Sequence, residues 1–185
     1  MVFLDQNIIK IISFLTLISN LIVLVYILDF IHYKIKKKFL LENIWSYVGK
    51  NAILFIFIIS FGAMVGSLIF SEMLNFEPCI LCWYQRILIY PIALLSGLAL
   101  VMKDKKIIPY ILFLSILGFP LAVYQYLGQI NSDISLPCDI LGSGTSCTTT
   151  FFKEFGYITI PFMAVTTFAL IIIICLISMK YNKEI

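Results

Sequence analysis

Long uninterrupted apolar blocks dominate the pattern of hydrophobic and polar positions along this chain. Five of the blocks reach the roughly 20 residues that a helix needs to cross the hydrocarbon core of a membrane. They show neither the spacing of an amphipathic helix nor the alternation of a β-barrel strand. The predicted transmembrane helices are Ile8–Ile31, Ala52–Phe70, Ile80–Met102, Ile107–Leu127 and Tyr157–Met179.

The composition of the chain supports a membrane protein. Of its 185 residues, 62% are hydrophobic and only 12% are charged. This is too little charge to cover the surface of a soluble domain of the same size. The net charge of +3 is small, and the lysines lie between the apolar blocks. They therefore indicate topology and not a surface for nucleic acid. One helical-bundle domain is the simplest interpretation.

The first apolar block is predicted to be a retained helix and not a cleaved signal peptide. It is too long, it starts beside Asp5 instead of a basic cluster, and no small-residue cleavage site follows it. Asn20 within it could pack against another helix, although a tolerated polar residue is the simpler interpretation. The segment Phe39–Val48, which contains Trp45 and Tyr47, is predicted to form a short interfacial helix that acts as an anchor.

Lysines indicate the orientation, because they are enriched in cytoplasmic connections. They cluster after the first helix, after the third helix and in the C-terminal tail, three segments that share one side of the membrane. These lysines are Lys34, Lys36, Lys37, Lys38 and Lys50, then Lys103, Lys105 and Lys106, and finally Lys180 and Lys183. The connections Ser71–Cys79 and Gly128–Gly156 carry mainly acidic residues and are predicted to face outward. The N-terminus is then outside and the C-terminus cytoplasmic.

Four of the five cysteines fall in the two connections that are predicted to face outward. Cys79 and Cys82 form a C-x-x-C at the start of the third helix, and Cys138 and Cys147 lie in the long connection after the fourth. Disulfides persist on the extracytoplasmic side of a membrane. Cys175 lies deep in the last helix and is predicted to be a small packing residue.

The C-x-x-C motif is predicted to occupy the first turn of its helix, because Pro78 precedes it. The N–H groups and the helix dipole at that position favour a thiolate. Arg86, the only arginine, lies four residues after Cys82 and hence on the same helix face. Its guanidinium could stabilise a Cys82 thiolate, or it could snorkel to the outer surface.

Other polar residues could line a pocket nearby, although an interfacial belt is the favoured interpretation for the tyrosines. They are Tyr84, Gln85, Tyr124, Gln125 and Tyr126.

Two functions without redox chemistry are also compatible with four outward cysteines. The cysteines could form a structural zinc site, although the spacing between Cys138 and Cys147 is wider than in common zinc motifs. They could instead form disulfides that only brace the outer loops of a transport or structural bundle. A redox pair is favoured, because a disulfide closed over two residues is more readily reduced than a long-range bridge.

The residues around the C-x-x-C motif resemble a known signature. Glu77–Arg86, with the sequence EPCILCWYQR, looks like the signature of the DsbB/BdbC disulfide-bond-formation family. Gly156–Met163, with the sequence GYITIPFM, resembles the start of the final helix in the BdbC-like branch. The resemblance covers roughly residues 52–179. It departs from the family pattern in the additional N-terminal helix and in the short spacing between the last two outward cysteines.

The resemblance implies an all-α membrane protein with a four-helix transmembrane bundle, to which the apolar pattern adds one extra N-terminal transmembrane helix. Residues 1–51 would hold this extra helix and a basic cytoplasmic segment. Residues 52–185 would form the DsbB-like bundle with its two extracytoplasmic loops. The implied location is the bacterial cytoplasmic (inner) membrane.

The resemblance also implies a protein-dithiol:quinone oxidoreductase that generates disulfides. On the family pattern, Cys79 and Cys82 form the pair coupled to quinone, either ubiquinone or menaquinone, and Arg86 helps to bind or polarise the quinone. Cys138 and Cys147 match the pair that exchanges with a DsbA-like or BdbD-like thioredoxin-fold protein. Cys138 would form the mixed disulfide with this partner.

Overall fold

The computed structural model describes residues 2–131 and 146–181, and the long elements in those ranges are helices. The helices are α1 (Val2–Lys36), α2 (Glu42–Lys50), α3 (Ala52–Leu68), α4 (Ile80–Met102), α5 (Ile108–Ile130) and α6 (Ile160–Tyr181). A π-helical turn, Ile69–Met73, continues α3, and a 3-10 turn, Lys105–Ile107, precedes α5. Within the described ranges, five helices are long and apolar enough to cross a membrane. The prediction of an all-α membrane protein is confirmed.

Helices α3 to α6 pack into one bundle, in which α3 contacts α4, α4 contacts α5, and α6 contacts both α3 and α5. The buried core between them is mostly aliphatic. It includes Ile56, Ile92, Ile108, Ile111, Phe168, Ile171 and Cys175. Cys175 is fully buried there, so its prediction as a packing residue is confirmed. Lipid provides little hydrophobic drive for helices to associate, and their packing therefore rests on close approach.

The N-terminal helix α1 packs against α6, and most of its apolar side chains face away from the bundle. The contact includes polar groups: the Thr166 hydroxyl donates to Asn20 Oδ1 at 2.7 Å, and Asn20 Nδ2 lies 3.5 Å from the Tyr157 hydroxyl. The simpler interpretation of Asn20 as a merely tolerated residue is therefore wrong. An amide at membrane depth gains from a partner on a neighbouring helix, and here that partner is on α6.

The short helix α2 confirms the predicted element between the first two spans, although it begins later than predicted. The Asp29 carboxylate of α1 accepts hydrogen bonds from Leu40 N at 2.7 Å, Leu41 N at 3.1 Å and Trp45 Nε1 at 2.6 Å. These bonds hold residues 40 and 41 in the turn before the helix, which explains its later start. They also bury Trp45 in the protein, whereas the prediction placed it at the membrane interface.

The two ends of the bundle carry different chemistry. The ends of α1, α4 and α6 and the start of α3 meet at one end, together with most of the described lysines. The starts of α4 and α6 and the end of α5 meet at the other end, which also holds the described outward cysteines. The alternation deduced from the lysines therefore matches the fold. Which end faces the cytoplasm stays a prediction.

Candidate redox site

Cys79 and Cys82 lie at the start of α4, as predicted from the preceding proline. Cys79 is the N-cap residue, with φ −72° and ψ 171°, and its carbonyl accepts the first helical hydrogen bond from Trp83 N at 3.1 Å. Cys82 lies in the first turn. Both cysteines are free thiols, and their sulfur atoms are 3.1 Å apart. The pair is therefore positioned to open and close a disulfide without large movement.

A glutamine from α5 contacts both sulfur atoms. Gln125 Nε2 donates to Cys79 Sγ at 3.1 Å and to Cys82 Sγ at 3.4 Å. Gln85 Nε2 in turn donates to Gln125 Oε1 at 2.7 Å, and both glutamines are buried. The bond from Gln85 keeps the Gln125 NH₂ group turned toward the sulfurs. Because N–H donors favour a negatively charged acceptor, Gln125 is placed to stabilise a thiolate.

The two thiols of the pair are not equivalent. The hydrogen bond with the Cys82 sulfur, and then burial, raise the pKa of the Cys79 thiol above its ordinary value. Cys79 therefore keeps its proton, and a negative charge on the pair is borne by Cys82. The position of Cys82 suits that charge, since its sulfur accepts from Gln125 Nε2 and it lies one turn before Arg86.

Arg86 is buried against α3 and does not reach the outer surface, so the snorkelling alternative is wrong. Its Nε donates to Ser67 Oγ and its Nη2 donates to Ser67 O, both at 2.9 Å. The guanidinium also lies 5.1 Å from the centre of the Trp83 ring. Ser67 lies in the last turn of α3, just before the π-helical turn. These contacts fix a permanent positive charge inside the bundle close to the C-x-x-C motif.

Cys147 is buried beside the C-x-x-C pair. It is 1% exposed, it is disulfide-bonded, and it packs in one apolar cluster with Cys79 and Leu81. Cys79, Cys82 and Cys147 also line the same small cavity of about 20 Å³, which has room for about one water molecule. The structure therefore brings three of the four predicted cysteines together. The fourth, Cys138, lies outside the described residues.

Phenylalanine side chains hold the segment that carries Cys147 against the connection between α3 and α4. The Phe76 ring stacks on Phe151 with 4.5 Å between their centres. Phe152 lies 5.6 Å from Phe70 and 6.2 Å from Phe76. Aromatic contacts of this kind combine a large apolar burial with a preferred geometry. They explain why a cysteine far along the chain lies next to the start of α4.

Two further contacts shape the segment between Cys147 and α6. Gln129, at the end of α5, donates from Nε2 to Thr149 O at 3.0 Å. The backbones of Glu154 and Ile158 exchange hydrogen bonds at 3.0 and 2.9 Å around a tight turn. Gly156 in this turn has φ 79°, a value that glycine adopts without strain. The segment is thus attached to α5 by a hydrogen bond and is closed by a tight turn just before α6.

The geometry does not favour a zinc site. A sulfur held in a disulfide is not a thiolate, and the thiolate is the form that ligates metals. Cys147 is in a disulfide, and the described residues include no group of three or more His, Cys, Asp or Glu side chains that could hold a metal ion. A free dithiol packed against a disulfide-bonded cysteine is instead the arrangement that thiol–disulfide exchange requires.

Sequence reasoning located the cysteines and Arg86 but not the groups that position them. By its pattern the sequence offers Gln125 only as one of several polar residues that could line a pocket, and nothing in the pattern distinguishes Ser67. Both contacts join residues that are far apart along the chain. Gln125 is 43 or more residues from the two cysteines, and Ser67 is 19 residues from Arg86. A polar side chain inside an apolar span is the one feature that could have drawn attention to Gln125.

Comparison with known proteins agrees with this geometry. The family model described as disulfide bond formation protein DsbB matches residues 49–178, which is well over half of the chain. The chain belongs to the DsbB family. The match begins at the end of α2, so α1 lies outside the part that the family shares.

Several relatives of the family are similar over most of their length. Disulfide bond formation protein C of Bacillus subtilis is 42% identical over 135 residues, which cover 70% of this chain and 96% of the relative. The SPbeta prophage-derived disulfide bond formation protein B of the same species is 42% identical over 123 residues, 66% of this chain and 81% of the relative. A probable disulfide formation protein of Chlamydia caviae is 37% identical over 138 residues, 75% of this chain and 97% of the relative. No solved structure matches the chain.

Membership of the family gives the chain its general function. It is a multi-pass membrane oxidoreductase of disulfide bond formation, and its reaction requires a partner protein with which it exchanges thiols and disulfides.

Proposed function

We propose that this protein is a protein-dithiol:quinone oxidoreductase that oxidises a thioredoxin-fold partner and passes the electrons to membrane quinone. One observation carries the proposal: disulfide-bonded Cys147 is buried in the same small cluster as the free thiol of Cys79, and both line one cavity. A dithiol and a disulfide in contact can exchange electrons without a further carrier. In this proposal Cys79, Cys82, Cys138 and Cys147 are catalytic, and Arg86 binds the quinone.

The proposed setting is the bacterial cytoplasmic membrane, with the cysteine-bearing end of the bundle outside. The lysine-rich end then lies in the cytoplasm, in accord with the positive-inside rule. Residues 1–51 supply the additional helix and a basic segment, and residues 52–185 form the redox bundle. The partner is a DsbA-like or BdbD-like protein, which reaches the site from outside.

The first proposed step is exchange between the partner and the loop pair. A thiolate of the reduced partner attacks Cys138 in the Cys138–Cys147 disulfide, and Cys147 leaves as the thiolate. The second thiol of the partner then attacks its own bridged sulfur and releases Cys138. The partner gains a disulfide, and the loop pair takes up its two electrons and two protons.

The second proposed step moves the electrons inward. Cys147 attacks Cys79 in an oxidised Cys79–Cys82 pair, and Cys82 leaves as the thiolate. Cys138 then attacks Cys147 in the bridge between Cys147 and Cys79, which restores the loop disulfide and frees the Cys79 thiol. The described state, with Cys147 in a disulfide and the C-x-x-C pair reduced, corresponds to the end of this step. Cys79 and Cys147 belong to one buried cluster, which Cys82 only borders, and this supports the order of attack.

The residues around Cys82 fit a flat quinone ring that approaches from the lipid. The cavity of about 20 Å³ that the pair lines is too small for a quinone ring. Trp83 and Ile87, on the same stretch of α4, are 53% and 63% exposed and form an apolar outer face. Arg86 uses two of its five N–H groups on Ser67, and the guanidinium can donate others to a quinone oxygen.

When bound, quinone supplies the capacity to accept two electrons and two protons. Closing the Cys79–Cys82 disulfide releases two electrons and the Cys79 proton, and solvent provides the second proton. Gln125 holds the two sulfurs in contact during this closure. Arg86 supplies a fixed positive charge for the negative charge that develops beside Cys82.

A quinone-reduction assay tests the proposal. Detergent-purified protein is mixed with a reduced thioredoxin-fold dithiol protein and a ubiquinone or menaquinone analogue, and the quinone absorbance is followed. We expect turnover in the wild type and none in Cys79→Ser or Cys82→Ser, since each removes one sulfur of the pair. Arg86→Ala should slow quinone reduction about 10²-fold or more, and it should affect thiol exchange with the partner far less.

Ser67→Ala is the matched control for Arg86. It removes one of the two hydrogen bonds that orient the guanidinium and keeps the charge. We expect a smaller loss of quinone reduction than in Arg86→Ala. Unchanged turnover in both cysteine variants would contradict the relay. Disulfides that stay intact in mild reductant would indicate that they only brace the outer loops and take no part in a redox reaction.

A further inference from the structure

The first half of α1 lies at the cysteine end of the bundle. Asn20 contacts Thr166 near the start of α6. The centre of the Tyr33 ring lies 4.1 Å from Lys180 Nζ near the end of α6. Helix α1 therefore runs parallel to α6, and the residues before Asn20 lie beside the segment that leads from Cys147 into α6. The family match begins at residue 49, so a role for α1 does not follow from membership of the family.

One face of α1 packs against an apolar cluster that includes part of the Cys147 segment. The buried side chains of this cluster, which we call the Phe70 cluster, are Phe70, Ile158 and Met163. The described side chains of α1 that pack against it share one helix face, and they are Ile9, Ile12 and Leu17. Phe152 packs against the same cluster, and its ring centre lies 5.6 Å from that of Phe70. Helix α1 therefore supports the aromatic contacts that hold the Cys147 segment in place.

Asn20 connects α1 to the turn that closes the Cys147 segment. The Thr166 hydroxyl donates to Asn20 Oδ1 at 2.7 Å, and Asn20 Nδ2 lies 3.5 Å from the Tyr157 hydroxyl. Within the turn, Tyr157 N donates to Glu154 O at 3.2 Å. The Tyr157 carbonyl accepts from the Tyr126 hydroxyl of α5, also at 3.2 Å. The turn is thus held from α1 and α5 as well as by its own return into α6.

The position of Cys147 depends on both of these supports. Thiol–disulfide exchange requires the attacking sulfur to lie within reach of the sulfur that it attacks. A small displacement of a reacting group slows a reaction strongly. Phe152 and Tyr157 lie on the segment that carries Cys147, so contacts that fix these two residues also limit how far Cys147 moves from Cys79.

We propose that α1 is a positioning element of the redox site, with Asn20 as its positioning residue. It keeps Cys147 in place for the inward exchange, in which Cys147 bonds to Cys79 while the Cys79–Cys82 bond breaks and Cys82 leaves as the thiolate. The inference rests on the proposed relay and concerns this step alone. The quinone step depends on α3, α4 and α5, which carry Ser67, the cysteine pair with Arg86, and Gln125.

Stopped-flow measurement of quinone reduction by the fully reduced protein tests the proposal. The reduced C-x-x-C pair supplies the first two electrons, and the loop pair supplies the next two after the inward exchange. Asn20→Leu removes both polar contacts and keeps α1 apolar and helical. We expect an unchanged first phase and a second phase that is about 3- to 10-fold slower. An unchanged second phase would overturn the proposal, and so would equal slowing of both phases, because it would show a general loss of the bundle.

Two threonines of α6 provide a matched pair of variants. Thr166→Val removes the donor to Asn20 from the opposite helix and should also slow the second phase, by about 2- to 5-fold. This variant covers the case in which Asn20→Leu does not fold. Thr167→Val is the control, since the Thr167 hydroxyl donates to Met163 O within α6 at 2.9 Å. Equal slowing in the two variants would overturn the proposal.

A cross-linking measurement needs no quinone and so separates this inference from the proposed function. The double variant Cys82→Ser with Cys138→Ser leaves Cys79 and Cys147 at the site, and mild oxidation joins them. Adding Asn20→Leu should slow the formation of this bridge about threefold or more. An unchanged rate would overturn the positioning role. A wild type that reduces no quinone would contradict the proposed function, and the rate of bridge formation would still decide whether α1 positions Cys147.

Discussion

The two sulfurs of the C-x-x-C motif are only three residues apart, but they have different surroundings. Cys79 lies at the boundary of α4, is buried beside Cys147 and keeps its proton. Cys82 lies within the first turn of α4, one turn from a buried guanidinium. This asymmetry suits a pair in which one sulfur exchanges with the loop disulfide and the other faces the electron acceptor. Gln125 is the residue that touches both.

Gln125→Leu should slow the reoxidation of the Cys79–Cys82 dithiol. The change removes both N–H···S hydrogen bonds and nearly preserves the side-chain volume. Hydrogen bonds to a charged group contribute about 1.5–3 kcal/mol, so we expect a decrease of roughly 10- to 100-fold. Stopped-flow measurement of quinone absorbance after mixing with the pre-reduced protein gives this rate.

Gln85→Leu is the companion variant for Gln125. It leaves the Gln125 NH₂ group in place but removes the bond that orients it. We expect the reoxidation rate of the dithiol to decrease less than in Gln125→Leu. The melting temperatures of both variants are measured to separate misfolding from a catalytic effect. Equal rates in Gln125→Leu and the wild type would show that the amide plays no part in the chemistry.

At the scale of the elements, the bundle depends on how closely α5 and α6 approach each other. Gly118 of α5 faces the Phe168 ring of α6, and a Cβ at Gly118 would overlap that ring. The ring is almost fully buried and belongs to the core, so it has little room to move. The absence of a side chain at Gly118 therefore sets the distance between two helices that both lead into the redox site.

Gly118→Ala should destabilise the protein by about 1–3 kcal/mol, because the added methyl group overpacks the core. Gly66→Ala is the matched control, since no atom lies within 4 Å of a Cβ at Gly66 of α3. The control should be neutral or stabilising by up to about 1 kcal/mol, because alanine has a higher helix propensity than glycine. Thermal unfolding in detergent measures both, and equal effects would contradict the packing argument.

At the scale of the whole molecule, the loop after α5 and the start of α4 form one site at one end of the bundle. The phenylalanine contacts hold the loop in place, and they bring together cysteines that are 68 residues apart (147 − 79). The opposite end is rich in lysines and contains a second cavity of about 260 Å³. The separation of the cysteine-bearing end from the lysine-rich end follows from the antiparallel order of the helices.

A cross-linking experiment tests the contact between the loop and the C-x-x-C motif. In the double variant Cys82→Ser with Cys138→Ser, Cys79 and Cys147 are the cysteines left at the site. We expect mild oxidation to join them in a disulfide, which peptide mass spectrometry detects, because both are buried in one small cluster and line the same cavity. The matched double variant Cys79→Ser with Cys138→Ser should form the Cys82–Cys147 bridge less readily. Failure of the first pair to join would exclude direct exchange between these two sulfurs.

Much of the architecture was determined by the sequence alone. The five spans, the position of the C-x-x-C motif at a helix start and the placement of Cys175 in the core are all confirmed. These features depend on local rules. Lipid leaves the backbone no alternative to helices over long apolar blocks, and proline favours the start of a helix. The signature around the motif also indicated the family before any contact was known.

The contacts that make the site were decided only by the tertiary structure. The amide of Gln125 on the sulfurs, the attachment of Arg86 to Ser67 and the use of Asn20 and Asp29 to fasten α1 and α2 all join separate helices. A hydrophobic pattern specifies which segments are buried in lipid, but it does not specify how the helices rotate against one another. That rotation follows from side-chain packing across the whole bundle, and it determines which polar groups meet.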